Sequence, residues 1–204
     1  MLEMTLVLLA MLLFGVVHTL TAGHFKVVFR KWFGERAYHG LYRLLYNGFS
    51  LISLLPAALL MAFNDGGVVW QVPASLEIVF LVIQAVGLLG LVVSVLQIDA
   101  LRFAGVTQLM HYLTGRALPL ADEPLQTSGL YAWVRHPLYL FSLMVVWPVT
   151  TMTWGYLGLS IGITAYFIIG SRYEERRLLA AYGETYARYQ ARVPWLLPYP
   201  RPRA

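Results

Sequence analysis

Arg135, His136 and Pro137 stand immediately before a long apolar run, and Glu174 and Glu175 stand just beyond its far end. The residue types at the two ends are complementary. Proline suits the first position of a helix because its missing N–H is not needed there, and the free N–H groups of the following turn attract an anion. With the Arg135 guanidinium and the His136 imidazole beside that turn, a ligand carboxylate would be held. The two glutamates, with Tyr139 near them, supply acceptors for an ammonium or for ribose hydroxyls. A zwitterionic ligand matches the set. Each half also has a plainer reading. Arg135 next to a span end can be a snorkelling residue that sets orientation, and Glu174 to Arg177 can be a solvated charge run.

A second polar set lies in VLQIDALRFAGVTQ, where Gln97, Asp99, Arg102 and Gln108 follow an apolar segment. Such groups are costly against lipid, so they either line a substrate entrance or cap and pair locally. His18, with Thr19 and Thr21 close by, sits near the end of the first apolar segment, as a candidate base or as a hydrogen-bond partner of a neighbouring helix. The histidines at 18, 24, 39, 111 and 136 show no HExxH or other paired spacing, which disfavours zinc. There is no P-loop, GxSxG or GxGxxG motif. The chain has no cysteine, so disulfides, thiolate metal sites and cysteine nucleophiles are excluded. Any sulfur chemistry must come from a ligand.

The elements that position these groups are membrane spans. The chain has 204 residues, 59% hydrophobic and 12% charged, with a mean hydropathy of +0.65, against roughly one-quarter charged residues in a soluble domain. Apolar windows predict helices at 4–21, 44–63 and 76–98. The stretch 138–171 is too long for one span and is broken by Pro148 and MTWGY, so it predicts a helical hairpin with arms at 138–152 and 156–171. The expected fold is therefore all-α: one integral membrane domain over 1–204, five transmembrane helices, and interfacial helices on the cytoplasmic side.

With the N-terminus outside, segments 22–43, 99–137 and the tail from 172 share one side and contain all 15 Lys and Arg residues. The other side carries Glu3, Asp65 and Glu77. The positive-inside rule then puts the C-terminus in the cytoplasm, and the net charge of +5 reports orientation rather than nucleic-acid binding. The first span lacks a basic leader, so a retained helix is expected. Phe25, Val28, Phe29, Trp32 and Phe33 form one apolar helical stripe; Leu178, Tyr182, Tyr186, Tyr189 and Val193 form another. Both read as membrane-surface anchors. Five spans without an internal repeat argue against a transporter. The hairpin brings its cytoplasmic ends together, and with them Arg135, His136, Tyr139, Glu174 and Glu175.

TSGLYAWVRHPLYL, followed by RYEERRLLAAYGETYARYQARVPWLLP, resembles the carboxy-terminal half of the isoprenylcysteine carboxyl methyltransferase superfamily. HTLTAGHFK, YRLLYNGFSLISLLP, LQIDALRFAGVTQ and WPVTTMTWG are similar to the branch that holds methanethiol S-methyltransferase and the NnrU-like proteins. The resemblance implies S-adenosylmethionine as cofactor in a cytoplasm-facing pocket. Leu125, Gln126, Gly129, Leu130 and Tyr131 would hold its adenosine side. Arg135, His136, Pro137 and Tyr139 would hold the methionine end, and Glu174 and Glu175 its polar groups. The chain departs from the prenylcysteine enzymes at Glu123-Pro124-Leu125-Gln126, where those tend to show a His-x-Leu-Val run.

Gln97, Arg102 and Gln108 become candidates for the acceptor side, and His18 or Asp99 for a base. The implied activity is methyl transfer to a small thiol such as methanethiol, giving dimethyl sulfide, in a bacterial inner membrane. Carboxyl methylation of a lipid-linked substrate, a non-catalytic NnrU-like role in nitrogen-oxide metabolism, and a nicotinamide-dependent reductase are the alternatives. Whether the tail from Pro194 to Pro202 closes over the pocket is left open by the sequence.

Overall fold

The computed structural model describes residues 1–199. Along the chain run α1 (Leu2–Leu20), a π-helical turn (Thr21–Phe25), α2 (Lys26–Ser53), α3 (Leu55–Phe63), β1 (Val68–Gln71), α4 (Ala74–Leu96), α5 (Ala100–Ala104) and α6 (Val106–Leu113). A 3₁₀ turn (Gly129–Ala132), α7 (Pro137–Val146), β2 (Thr151–Thr153), α8 (Trp154–Tyr182) and α9 (Glu184–Arg192) follow. Three helical stretches are long and apolar enough to cross a membrane: Leu2–Phe63, Ala74–Leu96 and Trp154–Tyr182. The first comprises α1 to α3 and doubles back on itself. Gly34 breaks α2 at φ 81 and ψ 168, a region open to glycine because it lacks a Cβ. Beyond it the chain returns along α1, with Tyr42 donating to the Thr21 carbonyl and Ala57 of α3 joining Val7, Met11 and Phe14 in one buried cluster.

Close helix packing holds the bundle, because in lipid no hydrophobic force drives helices together and van der Waals contact must. Gly87 and Gly90 of α4 face α7. A Cβ on Gly87 would lie 2.9 Å from Val145 Cγ2, and one on Gly90 would enter the ring of Phe141. This Gly-Leu-Leu-Gly segment is thus a packing surface for α7. Gly158 and Gly162 of α8 admit Met4 and Met11 of α1 in the same way. Gln84 Nε2 adds a polar tie, donating to the Val145 carbonyl at 3.0 Å.

Two features differ from the sequence expectation. First, the arm expected at 138–152 is helical only to Val146. Pro148 lacks an N–H and disfavours helical geometry at Trp147, so α7 ends there. At ~1.5 Å per residue it reaches about 15 Å, half the ~30 Å hydrocarbon core. Second, the fold is not purely helical. β1 and β2 pair antiparallel, with Val68 opposite Thr153 and Gln71 opposite Thr151. The Trp154 and Gly155 N–H groups continue the contact onto the Gly67 and Asp65 carbonyls at 3.2 and 2.6 Å. Val68, Val69, Trp70, Thr151 and Thr153 are the β-branched and aromatic types that favour such a ribbon. Met152 lies wholly buried beneath it, and Thr153 Oγ1 caps α8 by accepting from the Tyr156 N–H at 3.2 Å. The ribbon ties the two inter-helix connections together at the start of α8, far along that helix from Glu174 and Glu175.

After α4, the short helices α5 and α6 clamp onto α2. Gly105 approaches so closely that a Cβ would lie 2.6 Å from the Leu44 nitrogen. Arg43 Nε and Asn47 Nδ2 donate to the Phe103 carbonyl at 2.9 and 3.1 Å.

Candidate active site

α7 begins at Pro137 with His136 as its N-cap. The segment before it and the far part of α8 meet through side chains. Arg135 Nε donates to Glu175 Oε1 at 2.6 Å, and Tyr139 O–H donates to Glu174 Oε2 at 2.8 Å. His136, only 5% exposed, has Nε2 3.2 Å from Glu175 Oε1 and Nδ1 3.6 Å from Glu174 Oε2. Its ring stacks on Tyr139 at 5.2 Å, and Tyr139 stacks on Phe167 of α8 at 4.5 Å. The juxtaposition read from the sequence is therefore present atom by atom.

Arg135 does more than face a ligand. Its Nη1 donates to the Gln190 and Val193 carbonyls at 3.1 and 2.6 Å, in the last turn of α9 and just beyond it. The Arg135 and His136 N–H groups donate to the Pro194 and Trp195 carbonyls at 2.9 and 3.2 Å. Gln190 Nε2 reaches Glu175 Oε2 at 3.1 Å. Arg135, His136 and Glu175 thus tie the end of α9 and the two residues that follow Val193 to the start of α7. Pro194 and Trp195 of the tail are docked there; Pro200 to Pro202 lie outside the described residues.

This arrangement corrects the reading of the second apolar stripe as a membrane anchor. Gly183, at φ 54 and ψ −129, breaks α8 from α9, and α9 folds back. Tyr186, Tyr189 and Val193 are then buried together with Leu178 and Tyr182, against Leu125 of the loop before α7. Tyr189 O–H donates to the Tyr131 carbonyl at 2.6 Å, and Tyr182 O–H to the Glu123 carbonyl at 2.8 Å. Tyr186 is 1% exposed, and its hydroxyl has no partner among the described residues. Burial, and then the charge of Glu175, raise its phenol above the ordinary range, so it remains a donor. Burial and Glu174 likewise push the Tyr131 phenol up to about 12. Tyr186, Tyr189 and Gln190 are the site-wall residues that the site reading of the sequence omitted. Their three- and four-residue spacing signals a buried face but not what buries it.

The second polar set has local partners. Gln97 Oε1 accepts the Leu130 N–H at 2.9 Å. Gly129, at φ +61, lies so close to that amide that a Cβ would collide with it. Gln97 thus shapes the loop carrying Leu125, Gln126, Gly129, Leu130 and Tyr131. Asp99 caps α5, accepting the Arg102 N–H at 2.9 Å, and Arg102 Nε pairs with Glu123 at 2.6 Å. Gln108 Nε2 donates to the Arg102 carbonyl at 3.1 Å, while its buried Oε1 has no partner among the described residues.

His18 belongs to a different network, between Tyr46 of α2 and Tyr166 of α8. Tyr166 O–H lies 2.9 Å from Nδ1, and Tyr46 O–H makes a closer contact with Nε2. His18 and Asp99, the two candidate bases, therefore sit in separate hydrogen-bond groups.

Residues 88–179 match the model of the isoprenylcysteine carboxyl methyltransferase (ICMT) family. The chain is 31% identical over 193 residues to methanethiol S-methyltransferase of Mycobacterium tuberculosis, a match covering 92% of this chain and 75% of that one. It is 30% identical over 194 residues to methanethiol S-methyltransferase 2 of Bradyrhizobium diazoefficiens, covering 94% and 71%. A shorter stretch of 80 residues is 36% identical to human protein-S-isoprenylcysteine O-methyltransferase, covering 37% of this chain and 28% of the human one. No solved structure matches. The family match spans the second half of α4 to α8 and so includes the whole mouth from Arg135 to Glu175. The chain belongs to the isoprenylcysteine carboxyl methyltransferase family of membrane proteins. It is a methyltransferase.

Proposed function

We propose that this protein is an S-adenosylmethionine-dependent S-methyltransferase of a bacterial inner membrane, acting on a small thiol such as methanethiol to give dimethyl sulfide. What carries the reading is the meeting of Arg135, His136 and Tyr139 with Glu174 and Glu175, in a chain similar over 92% of its length to a methanethiol S-methyltransferase. In this reading the chain crosses the bilayer five times, and α7, extended by residues 147–153, forms a hairpin with α8. The N-terminus is outside and the C-terminus cytoplasmic, in keeping with the placement of all 15 Lys and Arg residues in 22–43, 99–137 and the tail.

The residues present suit this cofactor. The enclosed Tyr186 hydroxyl, without a partner among the described residues, offers a donor to a nucleoside in the wall shared by α9 and the Leu125–Tyr131 loop. Leu125, Gln126, Gly129, Leu130 and Tyr131 would hold the adenosine side. Arg135, His136, Pro137 and Tyr139 would hold the methionine end, and Glu174 and Glu175 an ammonium or ribose hydroxyls. When bound, S-adenosylmethionine supplies a methyl group activated on a sulfonium. The chain's own part is to align the acceptor with that methyl group and to keep water away, since attack by a thiolate on a sulfonium cancels charge. A small thiol is mostly protonated near neutrality, so a base is required. His18 is that base in our reading, because Asp99 is committed to capping α5. Gln108 Oε1, without a partner among the described residues, lies on the acceptor side in our reading, with Gln97 and Arg102 nearby in sequence.

Two results test this. Vesicles holding the full chain, given S-adenosylmethionine and methanethiol, are expected to release dimethyl sulfide into the headspace. Methylation of a prenylated cysteine peptide with no dimethyl sulfide would favour the lipid-linked alternative. Tyr186→Phe is expected to leave thermal stability unchanged, since the hydroxyl has no partner to lose among the described residues, and to weaken S-adenosylhomocysteine binding about tenfold, as removal of one hydrogen bond does. A loss of stability with unchanged affinity would remove Tyr186 from the cofactor wall.

A further inference from the structure

His18, Tyr46 and Tyr166 come from three helices and form one hydrogen-bonded group. An unbroken run of rings leads from it to the mouth. Tyr166 lies 6.1 Å from Phe167, Phe167 4.5 Å from Tyr139, and Tyr139 5.2 Å from His136, centroid to centroid. On the other side of His18, Tyr46 continues to Tyr42 at 6.4 Å, away from the mouth. A neutral imidazole has one donor and one acceptor nitrogen. With Nε2–H donating to the Tyr46 oxygen, Nδ1 accepts the Tyr166 O–H at 2.9 Å. Tyr166 is then the phenol whose oxygen is free to take a proton, and the one beside the rings that reach the methyl-donor mouth.

We propose that Tyr166 is the catalytic residue that contacts the acceptor and carries its proton to His18, and that Tyr46 positions His18 by fixing its tautomer. The acceptor class is a small, uncharged thiol, which aromatic walls accommodate through sulfur–ring contacts, while the same faces favour an adjacent sulfonium. This rests on the thiol methyltransferase reading above. In the step, the thiol S–H breaks and its electron pair forms the new S–CH₃ bond as the methyl–sulfonium bond breaks. The thiol proton passes to the Tyr166 oxygen while the Tyr166 hydroxyl proton passes to His18 Nδ1. The resulting imidazolium loses its proton to bulk water before the next turnover.

The test compares ethanethiol with trifluoroethanethiol, similar in size but different in acidity, at one pH near neutrality. Tyr166→Phe and His18→Gln are expected to lower kcat on the order of 100-fold for ethanethiol and to stay within about threefold of wild type for the more acidic thiol, which ionises without help. Tyr46→Phe is expected to fall between. S-adenosylhomocysteine affinity should be unchanged in all three. As a readout independent of turnover, fluorine NMR of trifluoroethanethiol bound with S-adenosylhomocysteine, at a pH well below that at which the thiol ionises without help, should show less thiolate in Tyr166→Phe than in wild type. Equal losses for both thiols, or no loss, would overturn the relay while leaving the methyltransferase reading intact. If one variant fails to bind S-adenosylhomocysteine, the other two carry the comparison. Wild-type protein that binds S-adenosylhomocysteine but methylates neither thiol would overturn both readings.

Discussion

Glu175→Ala is expected to destabilise the protein by about 3–5 kcal/mol, the cost of leaving a buried charge without its partner, and to abolish S-adenosylhomocysteine binding. The Arg135 and Glu175 side chains are 8% and 17% exposed. Glu175 receives Arg135 Nε and Gln190 Nε2, and it faces His136. Removing it strands the guanidinium and loosens the hold of Arg135 on the Gln190 and Val193 carbonyls. For a chain of this length, such a loss lowers Tm by on the order of 10 °C in a detergent melt. The double variant Arg135→Met with Glu175→Met separates structure from binding. Replacing a buried ion pair by apolar groups is often neutral for stability, so Tm is expected to recover while ligand binding does not. Recovery of both would show that the pair has only a structural role.

Gly90→Leu is expected to have the next largest effect. Even a Cβ at this position enters the Phe141 ring, and the packing of α4 on α7 leaves it nowhere to go. Overpacking of this kind costs about 1–3 kcal/mol or more. Because Phe141 lies one turn beyond Pro137, displacing it shifts the start of α7 and with it His136 and Tyr139. A loss of S-adenosylhomocysteine affinity of about tenfold or more is expected alongside the lower Tm, since small misplacements of a positioned group are costly. Phe141→Ala in the same chain should recover part of both by vacating the space. Unchanged affinity in Gly90→Leu would mean that α7 is not positioned through α4.

The mouth was legible because two short charged motifs flank one apolar run, and a turn in that run leaves them only one place to meet. The partners of Arg135 were not. Its Nη1 binds backbone carbonyls at the end of α9, and no residue type announces which backbone carbonyl a side chain will reach. The stripe from Leu178 to Val193 showed an apolar face, but periodicity cannot distinguish lipid from protein as its cover. Gly183, whose φ is positive, was the signal that α9 turns back onto Leu125. Asp99 followed the alternative already visible in its sequence, an aspartate immediately before a short helix. The two strands escaped notice because four and three residues are too few for an alternating pattern. Pro148 marked a break in the apolar run 138–171, yet sequence alone did not place the end of α7 as early as Val146.

The most direct measurement is isothermal titration of the purified wild-type protein with S-adenosylhomocysteine. A single saturable site with a Kd on the order of micromolar is the expected result. No binding heat at millimolar ligand, from protein shown to be folded by its melt, would contradict the assignment of the Arg135–Glu175 mouth to a methyl donor.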